Sequence, residues 1–234
     1  MRGRLLAVAA ILVLAVPGLL LAKGIDLYSM FPNLTLGSDP NGLDNVYVSC
    51  AGITATTLTM QVHVVTDNAD PNDAIQGIDV RLALTADQPG VTLDTTVATV
   101  FGGSSAVATW DNSTKAVGVV GNDPTVFPMD LTLGAVEQGN NDPGGPLGPG
   151  DYVFATLKFN VSSPTNISAS GTTINSQSTT LVTTLANGYT VQVTGETCGP
   201  IVPTLTEWGL ILFGVILFGS MVWYLRRRPV TAAA

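Results

Sequence analysis

Apolar positions follow three regimes along the chain. Residues 5–22 form one apolar run, broken only by Pro17 and Gly18, and residues 208–225 form a second. Between them, apolar and polar residues alternate with a period of two, the signature of strands with one buried face. In residues 57–65, Leu58, Met60, Val62 and Val64 fall on one side and Thr57, Thr59, Gln61 and His63 on the other. Residues 67–73 break the chain with Asp, Asn and Pro. Ile78, Val80, Leu82 and Leu84 then alternate with Asp79, Arg81 and Ala83, giving a second strand. Shorter β runs are predicted at 97–101, 106–110 and 116–120. A Gly/Pro/Asn loop at 139–150 leads into the strongest strand, 152–161, with Val153, Ala155, Leu157, Phe159 and Val161 on its apolar face. Two further strands are predicted at 179–185 and 189–193, joined by the turn residues Asn187 and Gly188. Many short alternating strands between turn signals predict an all-β chain, a β-sandwich or barrel, and the alternation favours a single antiparallel β-sandwich, which buries one face of each sheet.

The two apolar runs carry a different message. Arg2 and Arg4 precede the first run, and Ala22 closes it before Lys23. A charged start, an apolar stretch and a small residue make residues 1–22 a secretory signal peptide, with an uncleaved N-terminal anchor as the alternative. The second run suits a bilayer core of about 30 Å. Trp208, Trp223 and Tyr224 stand near its ends, and Arg226, Arg227 and Arg228 close it. By the positive-inside bias that end faces the cytoplasm, so the segment between the runs lies outside. The expected order is a signal peptide at 1–22, an N-terminal segment at 23–49 and the sandwich at 50–198. A linker at 199–207, a transmembrane helix at 208–225 and a cytoplasmic basic tail at 226–234 follow.

Charge sharpens this picture. Segment 24–201 holds sixteen acidic residues against three basic ones, Arg81, Lys115 and Lys158, a formal charge of −13 where the whole chain has −8. Such a surface repels nucleic acid, whose phosphates need clustered Lys and Arg. Cys50 and Cys198, the only cysteines, lie in the exported segment, where a disulfide is the default and two free thiols the alternative. A bridge between them would staple the two ends of the domain.

Candidate chemistry is sparse. His63 is the single histidine, so any Ser-His-acid arrangement would have to be built around it, and no Gly-x-Ser-x-Gly elbow supports one. Most acids sit beside Asn, Pro or Gly, which is turn chemistry. No cofactor is required, although the loops carrying Asp67, Asp70 and Asp73, and Asp39, Asn41 and Asp44, offer oxygen ligands suited to calcium. Trp110 and Tyr152 are the candidate aromatic platforms for a sugar, with a place in the core as the alternative for each.

Val202, Pro203, Thr204, Leu205, Thr206, Glu207, Trp208 and Gly209, followed by the apolar run and the arginines, resemble the IPTL-CTERM sorting signal of Gram-negative bacteria. Val202 replaces the usual Ile, and Thr206 the commoner Ser. The resemblance implies recognition by a membrane-embedded, exosortase-like cysteine protease that removes the helix and sends the protein to the cell surface. A permanent single-pass anchor is the alternative. Residues 150–161, reading Gly-Asp, a short apolar stretch and Ala-Thr-Leu-x-Phe-x-Val, resemble cohesin-type domains. That resemblance implies a cohesin-like jelly roll, a non-enzymatic sandwich for adhesion or assembly through contact with another surface protein. A carbohydrate-binding module, taking a polysaccharide at the cell surface or in extracellular matrix, is the rival reading.

Overall fold

The computed structural model describes residues 27–31, 34–39, 42–138, 144–200 and 205–227. The chain divides into two units, Met1–Gly199 and Pro200–Ala234. In the first, a single turn α1 (Leu27–Met30) precedes β1 (Thr35–Gly37), β2 (Asn45–Ile53), β3 (Thr57–Thr66), β4 (Ile75–Ala86) and β5 (Val91–Leu93). The turn α2 (Val97–Val100) leads to β6 (Lys115–Val119), β7 (Met129–Val136) and β8 (Gly150–Val161). The unit ends with β9 (Ile167–Gly171), β10 (Thr180–Thr183), β11 (Asn187–Thr190), β12 (Val193–Thr194) and β13 (Glu196–Cys198).

The strands form two sheets. One runs β12-β2-β3-β8-β5; the other runs β1-β11-β10-β4-β7-β6, with β9 also on β4 and β13 on β9. Pairing is antiparallel apart from two short parallel contacts, β1 with β11 and β12 with β2. The alternation read in β3 holds: Leu58, Met60, Val62 and Val64 are buried, and they share one core with Ile78, Val80, Leu82 and Leu84 of β4. Burial of each such side chain contributes about 1.5–3 kcal/mol, which makes this seam between the sheets the main stabilising feature.

The strongest strand differs from expectation in one respect. Between β3 and β8 the register passes from Val62 opposite Ala155 to His63 opposite Val153, which leaves Phe154 as an extra residue. Such a bulge swaps the faces of the residues beyond it. Phe154 therefore points into the core, 5.3 Å from the Phe101 ring, while Val153 is only half-buried.

Three other expectations are corrected. Residues 97–101 are not a strand. Asp94 Oδ1 accepts from Thr96 N at 2.9 Å and Phe101 N donates to Val97 O at 2.9 Å, so local bonds wind the chain into α2. Residues 106–110 form successive turns, with Ala108 N on Ser105 O at 3.0 Å and Lys115 Nζ on Ala108 O at 3.0 Å. Asn187 and Gly188 are strand, because β1 pairs with them directly, and the reversal falls earlier at Ala186, whose φ is 59°.

The last strands tie the sheets together. β12 belongs to one sheet and β13 to the other, so the chain crosses between them at Gly195. A Cβ there would lie 2.1 Å from Ala169 O, which only glycine avoids. Just beyond, Cys198 on β13 bonds to Cys50 on β2, with Cα atoms 5.2 Å apart. The expected bond thus forms and joins the two sheets, while Cys50 lies inside β2 and not at the start of the domain. Regular pairing reaches back to Thr35, upstream of residue 50.

The second unit holds one helix, α3 (Leu205–Arg227). Its described side chains are those of residues 209–223, all exposed. Among the described residues no helix is long and apolar enough to cross a membrane; of the expected span at 208–225, the side chains of residues 208, 224 and 225 lie outside the described ones. Residues 1–22, the expected signal peptide, lie outside the described residues.

Candidate functional site

The outer face of the β12-β2-β3-β8-β5 sheet gathers four side chains that the sequence did not connect. Tyr47 and Ser49 lie two apart on β2, opposite His63 and Gln61 of β3, and Asp151 begins β8 beside Val65. His63 Nε2 lies 3.0 Å from Ser49 Oγ. Its Nδ1 lies 3.0 Å from Asp151 Oδ1 and 3.0 Å from the Tyr47 hydroxyl. Tyr47 donates to Asp151 Oδ2 at 2.7 Å, and its ring stacks on the imidazole with centroids 4.4 Å apart. The hydroxyl of Tyr47 and the imidazole hold the Asp151 carboxyl below its ordinary pKa, and that carboxylate in turn raises the Tyr47 phenol. The His63 side chain is only 15% exposed.

A carboxylate accepts and does not donate, so Asp151 beside Nδ1 favours the tautomer that carries the proton there, with Nε2 placed to accept from Ser49. The bulge at Phe154 fixes this arrangement, since it sets which residues of β8 stand beside His63. No pattern along the sequence marks the cluster, because its members come from three strands and meet only through the register.

On the other sheet, the supposedly polar side of β4 is covered. Arg81 and Asp79 are each 6% exposed at the side chain and pair at 2.6 Å. Residues 172–179 fold over them: Arg81 Nη1 donates to Ile174 O at 2.6 Å and Nη2 donates to Gln177 Oε1. Lys115 is buried too. Of the three cations in segment 24–201, only Lys158 is exposed; the acids Asp44, Asp79 and Glu137 are buried as well, so the surface stays strongly anionic.

The expected metal loops are used internally. Asp44 accepts from Asn68 Nδ2 at 3.0 Å, Asp67 N at 3.1 Å and the Tyr189 hydroxyl. Burial raises the Asp44 carboxyl, and burial with Asp44 beside it pushes the Tyr189 phenol up. Asp70 Oδ1 accepts from Asn72 N at 2.9 Å, closing a turn. Among the described residues no group of three or more acidic, His or Cys side chains is placed to hold a metal ion. Asn41 lies outside the described residues.

The two candidate aromatics are placed differently. Trp110 is 2% exposed and its Nε1 donates to Gly145 O at 3.1 Å, so it is core. Tyr152 is half-buried and donates to Pro149 O at 3.2 Å.

Of the sorting residues, Leu205, Glu207, Trp208 and Gly209 start α3 and Arg226 and Arg227 end it; Val202, Pro203, Thr204 and Arg228 lie outside the described residues. Residues 202–228 match the IPTL-CTERM motif. No curated protein matches the chain. Among solved structures, it is similar to a type II cohesin domain from the cellulosome of Acetivibrio cellulolyticus, with 10% identity, a TM-score of 0.43, and coverage of 67% of this chain and 94% of that one. It is also similar to the second type II cohesin module of the ScaA scaffoldin of the same organism, with 14% identity, a TM-score of 0.39, and coverage of 70% and 94%. The order of the strands in two sheets and the core between them define the sandwich.

Proposed function

We propose that the chain is an exported bacterial surface protein whose β-sandwich serves adhesion or assembly and is not an enzyme in its principal role. The observation that carries this reading is the IPTL-CTERM motif at 202–228. In this account residues 1–22 direct export and are removed. Residues 208–225 then hold the protein in the membrane, with Arg226, Arg227 and Arg228 on the cytoplasmic side. An exosortase-like protease recognises Val202 to Gly209 and releases the sandwich to the cell surface.

The sandwich suits a durable extracellular module. Its disulfide is compatible with an oxidising compartment. Its surface, with Lys158 as the exposed cation of segment 24–201, favours a partner whose contact face is basic. The resemblance of residues 150–161 to cohesin-type domains supports protein contact over sugar binding, as does the burial of Trp110. The test is retention of the purified protein on host cells and matrix across a salt series. Retention that weakens as salt rises supports the reading; no retention at any salt sinks it.

A further inference from the structure

The cluster on the outer face of the β12-β2-β3-β8-β5 sheet has the parts of an acyl-transfer centre. Ser49 Oγ lies 3.0 Å from His63 Nε2, and His63 Nδ1 lies 3.0 Å from Asp151 Oδ1. A hydroxyl within hydrogen-bond reach of a base, itself oriented by a third group, is the geometric signature of an activated nucleophile. The arrangement is fixed from several sides. Tyr47 stacks on the imidazole at an interplanar angle of 11° and ties down the second carboxylate oxygen at 2.7 Å. The β8 bulge sets the register that brings Asp151 alongside. Ser49 is half-buried on an open sheet face, so unhindered reagents reach it.

We propose that Ser49 is a nucleophile activated by His63, with Asp151 and Tyr47 as positioning residues, and that it accepts the acyl group of small, unhindered esters. Ser49 Oγ attacks the ester carbonyl and its proton passes to His63 Nε2. The bond from the carbonyl carbon to the alcohol oxygen breaks, and the alcohol leaves with that proton. Water then attacks the acyl carbon, giving a proton to Nε2. The carboxylic acid departs as that proton returns to Ser49 Oγ. The face is flat, so the expected behaviour is stoichiometric acylation followed by slow release, not rapid turnover. This activity goes beyond adhesion, and its failure would leave the adhesion reading intact.

The test uses the full chain in detergent, treated with a fluorophosphonate probe and analysed by intact mass and peptide mapping. One adduct on the peptide carrying Ser49 is expected, absent in Ser49→Ala and formed about 100-fold more slowly in His63→Gln, the span a general base supplies. A second readout needs no variant. The chain has one histidine, so its ring nitrogens give a single pair of ¹⁵N resonances. Those are expected to show the proton on Nδ1 in the neutral ring, and Asp151→Asn is expected to redistribute it while slowing labelling. Labelling of Ser49 no faster than that of other serines, labelling unchanged in His63→Gln, or a proton on Nε2 in the native chain would each overturn the proposal.

Discussion

Arg81 and Asp79 stand two residues apart on one face of β4, and the guanidinium meets the carboxylate at 2.6 and 3.2 Å with both side chains buried. The gap they fill is built into the sheet. β10 pairs with residues 75–79 of β4 and β9 with residues 82–86, so Arg81 falls between them. Its backbone N–H donates to Thr179 Oγ1 at 3.0 Å and its carbonyl accepts from Thr172 N at 3.1 Å. The side chain then fastens residues 174–177 over the pair. Arg81→Met leaves Asp79 buried without its cation, and is expected to destabilise the fold by about 3–5 kcal/mol. Asp79→Leu with Arg81→Met is expected to cost clearly less than the single change. Denaturant midpoints of the three proteins check this; equal losses in both variants would mean the pair is not the fastening.

The Cys50–Cys198 bond closes a loop of 148 residues and spans both sheets. Reduction, or Cys50→Ala with Cys198→Ala, is expected to lower stability by about 2–5 kcal/mol. Guanidinium titration with and without reductant measures it, and a midpoint unmoved by reductant would contradict the stapling role.

Trp110 tests a place in the core against that of a sugar platform. Trp110→Ala is expected to cost about 3–5 kcal/mol through the cavity it leaves. Trp110→Phe removes the donor to Gly145 O while keeping most of the volume, and is expected to cost less. A Trp110→Ala protein of native stability would place the ring outside the core.

Asp44 gives the fold a pH dependence of definite sign. Burial raises its carboxyl above the ordinary 3.8, so the folded chain holds this proton more tightly than the unfolded one. The stability that the proton contributes is full below about 3.8 and is lost as pH rises through the raised value. Asp44→Asn removes that term. Stability of the native protein minus that of the variant is therefore expected to fall as pH climbs out of the acid range. A difference that is flat or rising would contradict the assignment.

How much was legible in the sequence depended on whether the information was local. The alternation of β3 follows from side-chain period alone, and Leu58, Met60, Val62 and Val64 lie where it puts them. The pairing of Cys50 with Cys198 needed only compartment and count. The face of Val153 was misread because a bulge is a property of two strands together, and nothing in residues 152–161 announces Phe154 as the extra residue. Residues 97–101 and 106–110 have strand composition, yet Asp94, Ser105 and Lys115 supply local partners that displace a ladder. The polar side of β4 looked solvent-facing because residues 172–179 cover it from far along the chain. The Ser49–His63–Asp151 cluster was invisible for the same reason, since its members are joined by register and not by spacing.

The central claim is export followed by sorting at the C-terminal motif, and the intact mass of the mature protein from its native host tests it most directly. The expected mass lacks residues 1–22 and the helix with its arginines, and is two hydrogens light for the Cys50–Cys198 bond. A mature protein that retains the segment after Val202 would contradict sorting and leave a permanently anchored one, whose work would then be sought at the membrane.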